Sequence, residues 1–555
     1  MNPFDHNYFL GYINEVNPQY VKIHFPSSNL LEKFHFKGSQ YAGGNVGNFV
    51  VIEGEEYGFL GRVIESILPD SERKEISEKA IKEDKTTFHP SGKIELLLSF
   101  DIYNPTKIQK TVSKYPSIGA KVFSCSDEQI RLYIKEFGRN ETSNDEENVY
   151  GKLGKLTSNN ADCHISLNAL FGRHCAVIGT TGGGKSWTTA KLIELLNNET
   201  DNKVILIDAT GEYKNISQLS CSLGEDTYFS YKVLNNSDFC FLFREHSPNT
   251  VNVLCEAINT LRFVEQGIYD DTVKVGKNSE TINQLIRENI HKISGSNFDL
   301  KQLPNQIKNE CVQVGRNNIL VEHDFKLSYC SHLISRVELF LNNETIKKGL
   351  GLITETENGN VRDLVEIIDD FISPKNKEKV LRIGFENLSY DFSIREIIVD
   401  FIASYLLRKS RKRYFKDKPV VLFIDEAHQF LNKRINADDD SSFYLQSIDL
   451  IAKESRKFGL FLCLSTQMPR DIPIGTLSQI GTFIVHRLIN EQDKKAVENA
   501  SSSANKSVLS FLPILGSGEA LLIGVEFPMP LMIKLDKPII EPDSKTPKLT
   551  KRAIG

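Results

Sequence analysis

Residues 179–186 read G-T-T-G-G-G-K-S, a complete G-x-x-x-x-G-K-S phosphate loop. An apolar run, Cys175-Ala176-Val177-Ile178, precedes it, and a helix-like run from Trp187 to Leu196 follows. That strand–loop–helix context is what the motif requires. Gly179, Gly182, Gly183 and Gly184 let the backbone curl, so that its N–H groups and those of Thr181, Ser186 and Trp187 converge on a polyphosphate. Lys185 reaches the β- and γ-phosphates, the Ser186 hydroxyl is a Mg²⁺ ligand, and the helix N-terminus adds partial positive charge. The chemistry predicted is binding of a nucleoside triphosphate, ATP with Mg²⁺.

Such a loop needs a carboxylate on the metal side. Val420–Ile424 is an apolar run that ends in Asp425-Glu426. Ligand-binding groups belong at the carboxyl ends of strands in an α/β sheet. Asp425 is expected to hold Mg²⁺, and Glu426 to act as general base toward water. Gln467 closes the next apolar run and is expected to sense the γ-phosphate. Asp208 ends Val204–Asp208 and leads into A-T-G-E-Y; within it Glu212 is an accessory candidate, with helix capping as the alternative.

These residues need a sheet to position them. Short apolar runs alternating with helical spacing from residue 150 onward predict an α/β domain with a parallel sheet covered on both faces. Before that lie β-type runs at Tyr8–Val16, Tyr20–Phe25, Asn48–Glu53, Tyr57–Ile67, Lys93–Tyr103 and Lys121–Phe123, which predict a small β-barrel. The expected organisation is a barrel over 1–148, a first core part over 149–214, a mostly helical insertion over 215–375, a second core part over 376–540 and an arm over 541–555. The charged run Glu72–Lys85 reads as an exposed helix or loop, and the polar run Asn140–Asn148 as a linker.

Composition sets bounds. A chain of 555 residues exceeds one ordinary core. Hydrophobic residues at 40% and charged residues at 25% describe a globular protein. A net charge of −5 confines any nucleic-acid contact to a local patch or a ring lumen. Nine cysteines without a C-x-x-C pair point to reduced thiols in a cytoplasmic protein. No run approaches 18 apolar residues, so no membrane segment is expected.

The motif set resembles the HerA family of ring-shaped DNA-pumping ATPases. The matching pieces are R-H-C-A-V-I-G-T-T-G-G-G-K-S (173–186), I-D-A-T-G-E-Y (207–213), F-I-D-E-A-H-Q-F (423–430), S-R-K-F-G (455–459), L-S-T-Q-M-P-R-D-I-P (464–473), T-L-S-Q-I (476–480) and H-R-L-I-N (486–490). The opening G-Y-I-N-E-V-N-P (11–18) is similar to the start of the family's barrel. One departure stands out: Asp425-Glu426 occupies a place where many members carry two glutamates.

The resemblance implies a RecA-like core, a homohexamer with ATP between subunits, and double-stranded DNA in the central channel. It implies arginines that complete the site: Arg173, Arg456 and, as an accessory candidate, Arg487. Which acts in trans the sequence leaves open. It further implies a DNA translocase working with a separate effector, a nuclease or a sirtuin-like NADase, docked on the barrel, in DNA processing or antiphage defence. The alternative is an ATP-regulated scaffold that switches that effector. The basic run Arg408–Arg413 and the stretches after Glu426 and Gln467 are candidate DNA contacts; Asp438–Asp440 is not. Lys545, Lys548, Lys551 and Arg552 of the arm are candidates to reach a neighbour's nucleotide.

Overall fold

Six strands close into an N-terminal barrel: Phe9–Val16, Val21–His24, Phe49–Ile52, Tyr57–Ile67, Ser91–Asp101 and Lys121–Ser124. Every pairing is antiparallel, and closure comes from Ser91–Asp101 returning to Val21–His24, with Val21 opposite Ile94. A closed barrel leaves no open edge to template aggregation. Leu10, Ile13, Ile23, Val50, Ile52, Phe59, Val63, Ile94 and Val122 fill its core. A helix, Asp127–Glu136, follows the last strand.

This computed structural model describes residues 3–544 apart from 33, 37–38, 42, 71–87, 110–113, 137–147, 159–160, 293–297, 354, 357–358, 432–444 and 502–505. The readings of Glu72–Lys85, of nearly all of Asn140–Asn148, of Asp438–Asp440 and of the four basic residues of the arm lie outside the described residues. The chain divides into two units.

The first unit holds the barrel and, with it, a sheet built around Cys175–Ile178. That strand runs parallel to both Leu460–Thr466 and Thr482–Val485. Beyond Thr482–Val485 the pairing turns antiparallel through Glu519–Gly524, Phe527–Leu535, Tyr150–Leu156 and Asp162–Ser166. The strands expected from apolar runs do pair in parallel, Cys175–Ile178 with Leu460–Thr466 and Lys203–Asp208 with Val420–Ile424, and the antiparallel strands extend that pattern. Successive hairpins need only tight turns, so residues 150–166 and 519–535 add strands without crossover helices.

The second unit carries four parallel strands in the order Val420–Ile424, Lys203–Asp208, Val380–Gly384, Leu219–Ser222. Helix Ile394–Arg411 packs against Ser447–Glu454. Residues 215–375 are mostly helical, with Pro248–Glu265, Ser279–Asn289, Leu303–Asn309, Asp324–Asn342 and Leu364–Ile372 as the main helices. They also contain Leu219–Ser222 and a hairpin, Val312–Val314 with Leu320–Glu322, which lack the length to signal strands. Among the described residues no helix is long and apolar enough to cross a membrane.

Candidate nucleotide site

In the first unit the register places three residues at one edge of the sheet. Ile178 lies opposite Thr466 and Val485, so Gly179, Gln467 and His486 all leave the carboxyl ends of adjacent strands. The loop then turns through Gly182 (φ 74°) and Gly184 (φ 112°), conformations that favour glycine, into the helix Lys185–Glu199. Backbone bonds hold its shape. Thr180 N–H donates to Arg487 O (3.2 Å), Gly183 N–H to Thr180 O (3.0 Å), and Gly518 N–H to Gly183 O (3.3 Å). The Thr181 hydroxyl donates to Gln467 Oε1 (2.7 Å), which ties the expected γ-phosphate sensor to the loop itself.

His486 opens the H-R-L-I-N motif, but sequence reasoning assigned it no role. It is fully buried beneath the loop, and a Cβ on Gly179 would come within 2.6 Å of its own Cβ. Its Nδ1 lies 2.9 Å from Glu519 O, a pure acceptor, so Nδ1 carries the proton. Nε2 then accepts from the Thr188 hydroxyl at 2.8 Å. Burial, with the Lys185 ammonium adding to it, pushes the imidazole pKa down to about 4. A neutral ring therefore supports the loop and adds no charge to that of Lys185, itself buried. The available signal was a histidine directly after an apolar strand, T-F-I-V-H.

The second unit carries the acids. Asp425 N–H bonds Ile207 O (3.0 Å), which sets it at the carboxyl edge beside the end of Lys203–Asp208. Asp425 and Glu426 are both buried, at 2% and 5% exposure. Glu426 has φ 46°, a left-handed conformation that costs a side-chain-bearing residue energy and that clusters at functional sites. His428 Nδ1 lies 3.4 Å from its carboxylate.

Behind these acids runs a buried charge network that the sequence also hid. Arg382 donates through Nε to Asp208 Oδ2 (2.8 Å) and through Nη2 to both oxygens of Glu386 (2.9 Å each). Burial opposes ionisation of Glu386, but a backbone hydrogen bond and Arg382 outweigh it and hold the carboxyl below its usual range. Asp208 accepts from Gly211 N–H (2.8 Å) and Tyr213 N–H (3.1 Å), so it shapes the turn that carries Glu212. Glu212 sits in that turn rather than capping a helix; Oε2 is buried without a hydrogen-bond partner among the described residues. An arginine inside an otherwise apolar strand, V-L-R-I-G, was the signal for a buried ion pair.

The arginines separate by edge. Arg173 precedes its strand, accepts Gly481 N–H on its carbonyl, and pairs with Glu526 at 3.0 Å, all at the end opposite the phosphate loop. Arg456 is exposed at the start of Leu460–Thr466; Gly459 O there accepts from Val420 N–H, the far end of the strand that delivers Asp425. Arg487 alone of the three adjoins the phosphate loop of its own chain, with an exposed side chain. The basic run 408–413 is largely engaged: Arg408 stacks on Phe401 and Tyr405, Lys409 pairs with Asp369 (2.9 Å) and Arg411 with Glu454.

Comparison with known proteins agrees with the motifs. A model of the helicase HerA central domain matches residues 151–370, and one of the helicase HerA-like C-terminal domain matches 406–555, together well over half of the chain. A "probable helicase" of Methanocaldococcus jannaschii is 27% identical over 511 residues, 89% of this chain and 86% of the relative. The DNA double-strand break repair helicase HerA of Sulfurisphaera tokodaii is 27% identical over 395 residues, 70% of this chain and 69% of the relative. Among solved structures, VirB4 of Thermoanaerobacter pseudethanolicus aligns at TM-score 0.45 and 15% identity, over 72% of this chain and 98% of that one. The motifs, the phosphate-loop geometry and the two family-model matches lead to one assignment: the chain belongs to the HerA helicase family and is a P-loop ATPase.

Proposed function

We propose that the chain is a hexameric, ATP-hydrolysing DNA translocase that acts with a separate effector, a nuclease or a sirtuin-like NADase, in DNA processing or antiphage defence. The loop of residues 179–186 binds the triphosphate, and Lys185 neutralises its β- and γ-phosphates. Ser186 and Asp425 are hard oxygen donors, the kind Mg²⁺ takes alongside substrate phosphates and water, and when bound the ion neutralises phosphate charge. Glu426 accepts the proton of the attacking water, and Gln467, held by Thr181, orients that water.

The observation that carries the ring reading is the edge on which the arginines lie. Arg173 and Arg456 stand on the strand-start edges of their sheets, away from the carboxyl edges that hold the loop and the acids. As phosphoryl-stabilising groups they would serve a neighbouring subunit, which makes hydrolysis a property of the ring. Sequence-independent contacts to DNA phosphates would then be made by exposed loops such as the one after Gln467.

The test is steady-state ATP hydrolysis with and without linear duplex DNA, with Lys185→Ala as blank. Stimulation by DNA that falls as salt rises is expected. Turnover indifferent to DNA would replace this reading with the ATP-regulated scaffold. Mixing Arg173→Ala or Arg456→Ala subunits with wild type should lower activity more than in proportion, and strict proportionality would remove that arginine from a shared site.

A further inference from the structure

The phosphate loop accounts for the polyphosphate end of the ligand and leaves the nucleoside end without a partner. An aromatic ring stands beside the loop, on the first turn of the helix that follows it. Trp187 follows Ser186 on the first turn of the helix, is half-buried, and is the one tryptophan of the chain. Over its face, 5.2 Å from the ring centroid, lies the ammonium of Lys537.

Lys537 reaches this position through the loop's own supports. Gly518 donates to Gly183 O in the loop, and Leu535 donates to Gly518 O (2.9 Å). Phe527–Leu535 therefore ends at the phosphate-loop edge, and two residues later the chain delivers Lys537. The next residues stay with the helix, since Ile539 N–H donates to Glu194 Oε2 (2.6 Å). Lys537 is exposed, and among the described residues no carboxylate lies within ion-pair distance of it. Its side chain ends on an aromatic face rather than on a counter-ion.

Resting on the nucleotide-binding reading, we propose that Trp187 and Lys537 are the two jaws of the base site, the indole stacking on one face of the nucleotide base and the Lys537 side chain closing over the other. An indole beside a mobile ammonium suits a flat, electron-rich ring, and both contacts act on a π-face. Four unbranched methylenes let Lys537 swing aside to admit the base and fold back over it.

The experiment uses the full-length chain and measures kcat and KM for ATP, with tripolyphosphate, which has no base, as competing inhibitor. Trp187→Ala and Lys537→Ala are each expected to raise KM about 10-fold with kcat within about twofold, and Trp187→Phe to stay within about threefold. Tripolyphosphate should inhibit all of them as it inhibits wild type. In the wild-type chain, emission from the single tryptophan should change saturably with ATP. Unchanged KM in both alanine variants, or loss of tripolyphosphate inhibition in parallel with ATP, would overturn the proposal. Lys185→Ala separates the two levels. If it still turns over ATP, the phosphate-loop reading itself fails. If it is inactive while Trp187→Ala and Lys537→Ala match wild type, only the base site fails.

Discussion

The two units hold their functional groups by different physics. In the first, the phosphate loop is shaped by sterics and backbone hydrogen bonds around a neutral, buried His486, with Lys185 as its buried charge. In the second, the acids stand beside a buried ionic network, Asp208–Arg382–Glu386, with Glu426 in a costly left-handed conformation. On the function proposed above, the difference follows from the task. A loop that must receive a polyanion gains from carrying no acidic side chain, and residues 179–186 contain none. Acids that must face a metal ion and water need their orientation set by fixed partners.

The comparison breaks most visibly at Arg382. Arg382→Met should cost about 3–5 kcal/mol, because Asp208 and Glu386 are left as buried, uncompensated carboxylates. Denaturant unfolding checks this, and a loss below about 1 kcal/mol would show the network to be dispensable. Its pH dependence has a definite sign. Glu386 has a folded pKa below the ordinary glutamate value of 4.5, so its contribution is present above that value and is lost as pH falls through the depressed one.

His486 gives the first unit a pH dependence from a base instead of an acid. Its pKa of about 4 lies below the ordinary histidine value of 6.5, so the folded state binds fewer protons than the unfolded one. Stability is present above pH 6.5 and is lost as pH falls toward 4, by about 3 kcal/mol in all. His486→Gln should flatten that slope in thermal unfolding; an unchanged slope would mean another group produces it.

Gly179→Ala tests the steric half of the contrast. Its Cβ would meet His486 at 2.6 Å, so about 1–3 kcal/mol of overpacking strain is expected, together with weaker nucleotide binding. Gly182→Ala has open space but a positive φ, and should cost about 1 kcal/mol. Calorimetry on the pair would show whether space or backbone conformation dominates. The smallest effect on stability is expected at Arg173, whose pair with Glu526 is partly exposed; Arg173→Ala should cost under about 1 kcal/mol while, on the function proposed above, lowering turnover.

How much of this was legible in the sequence depends on whether a residue announces itself locally. The six barrel strands were readable because alternation and turn residues are local signals; Tyr57–Ile67 has the same bounds in sequence and structure. The phosphate loop and Asp425-Glu426 were readable for the same reason, each closing an apolar run. Val380–Gly384 was not singled out, because Arg382 interrupts its apolar character and only its burial against Asp208 explains the charge. The hairpins at 150–166 and 519–535 carry apolar runs that do not distinguish parallel from antiparallel partners. Lys537 carried no signal, since its meeting with Trp187 depends on tertiary routing alone.

The central claim is that the loop binds the nucleotide and the acids turn it over. The most direct test is paired measurement of ATP binding and hydrolysis in Lys185→Ala and Glu426→Gln. The account predicts that Lys185→Ala loses binding, whereas Glu426→Gln binds ATP as wild type does and hydrolyses it at least about 100-fold more slowly. Near-normal turnover in Glu426→Gln, or normal ATP binding in Lys185→Ala, would contradict it.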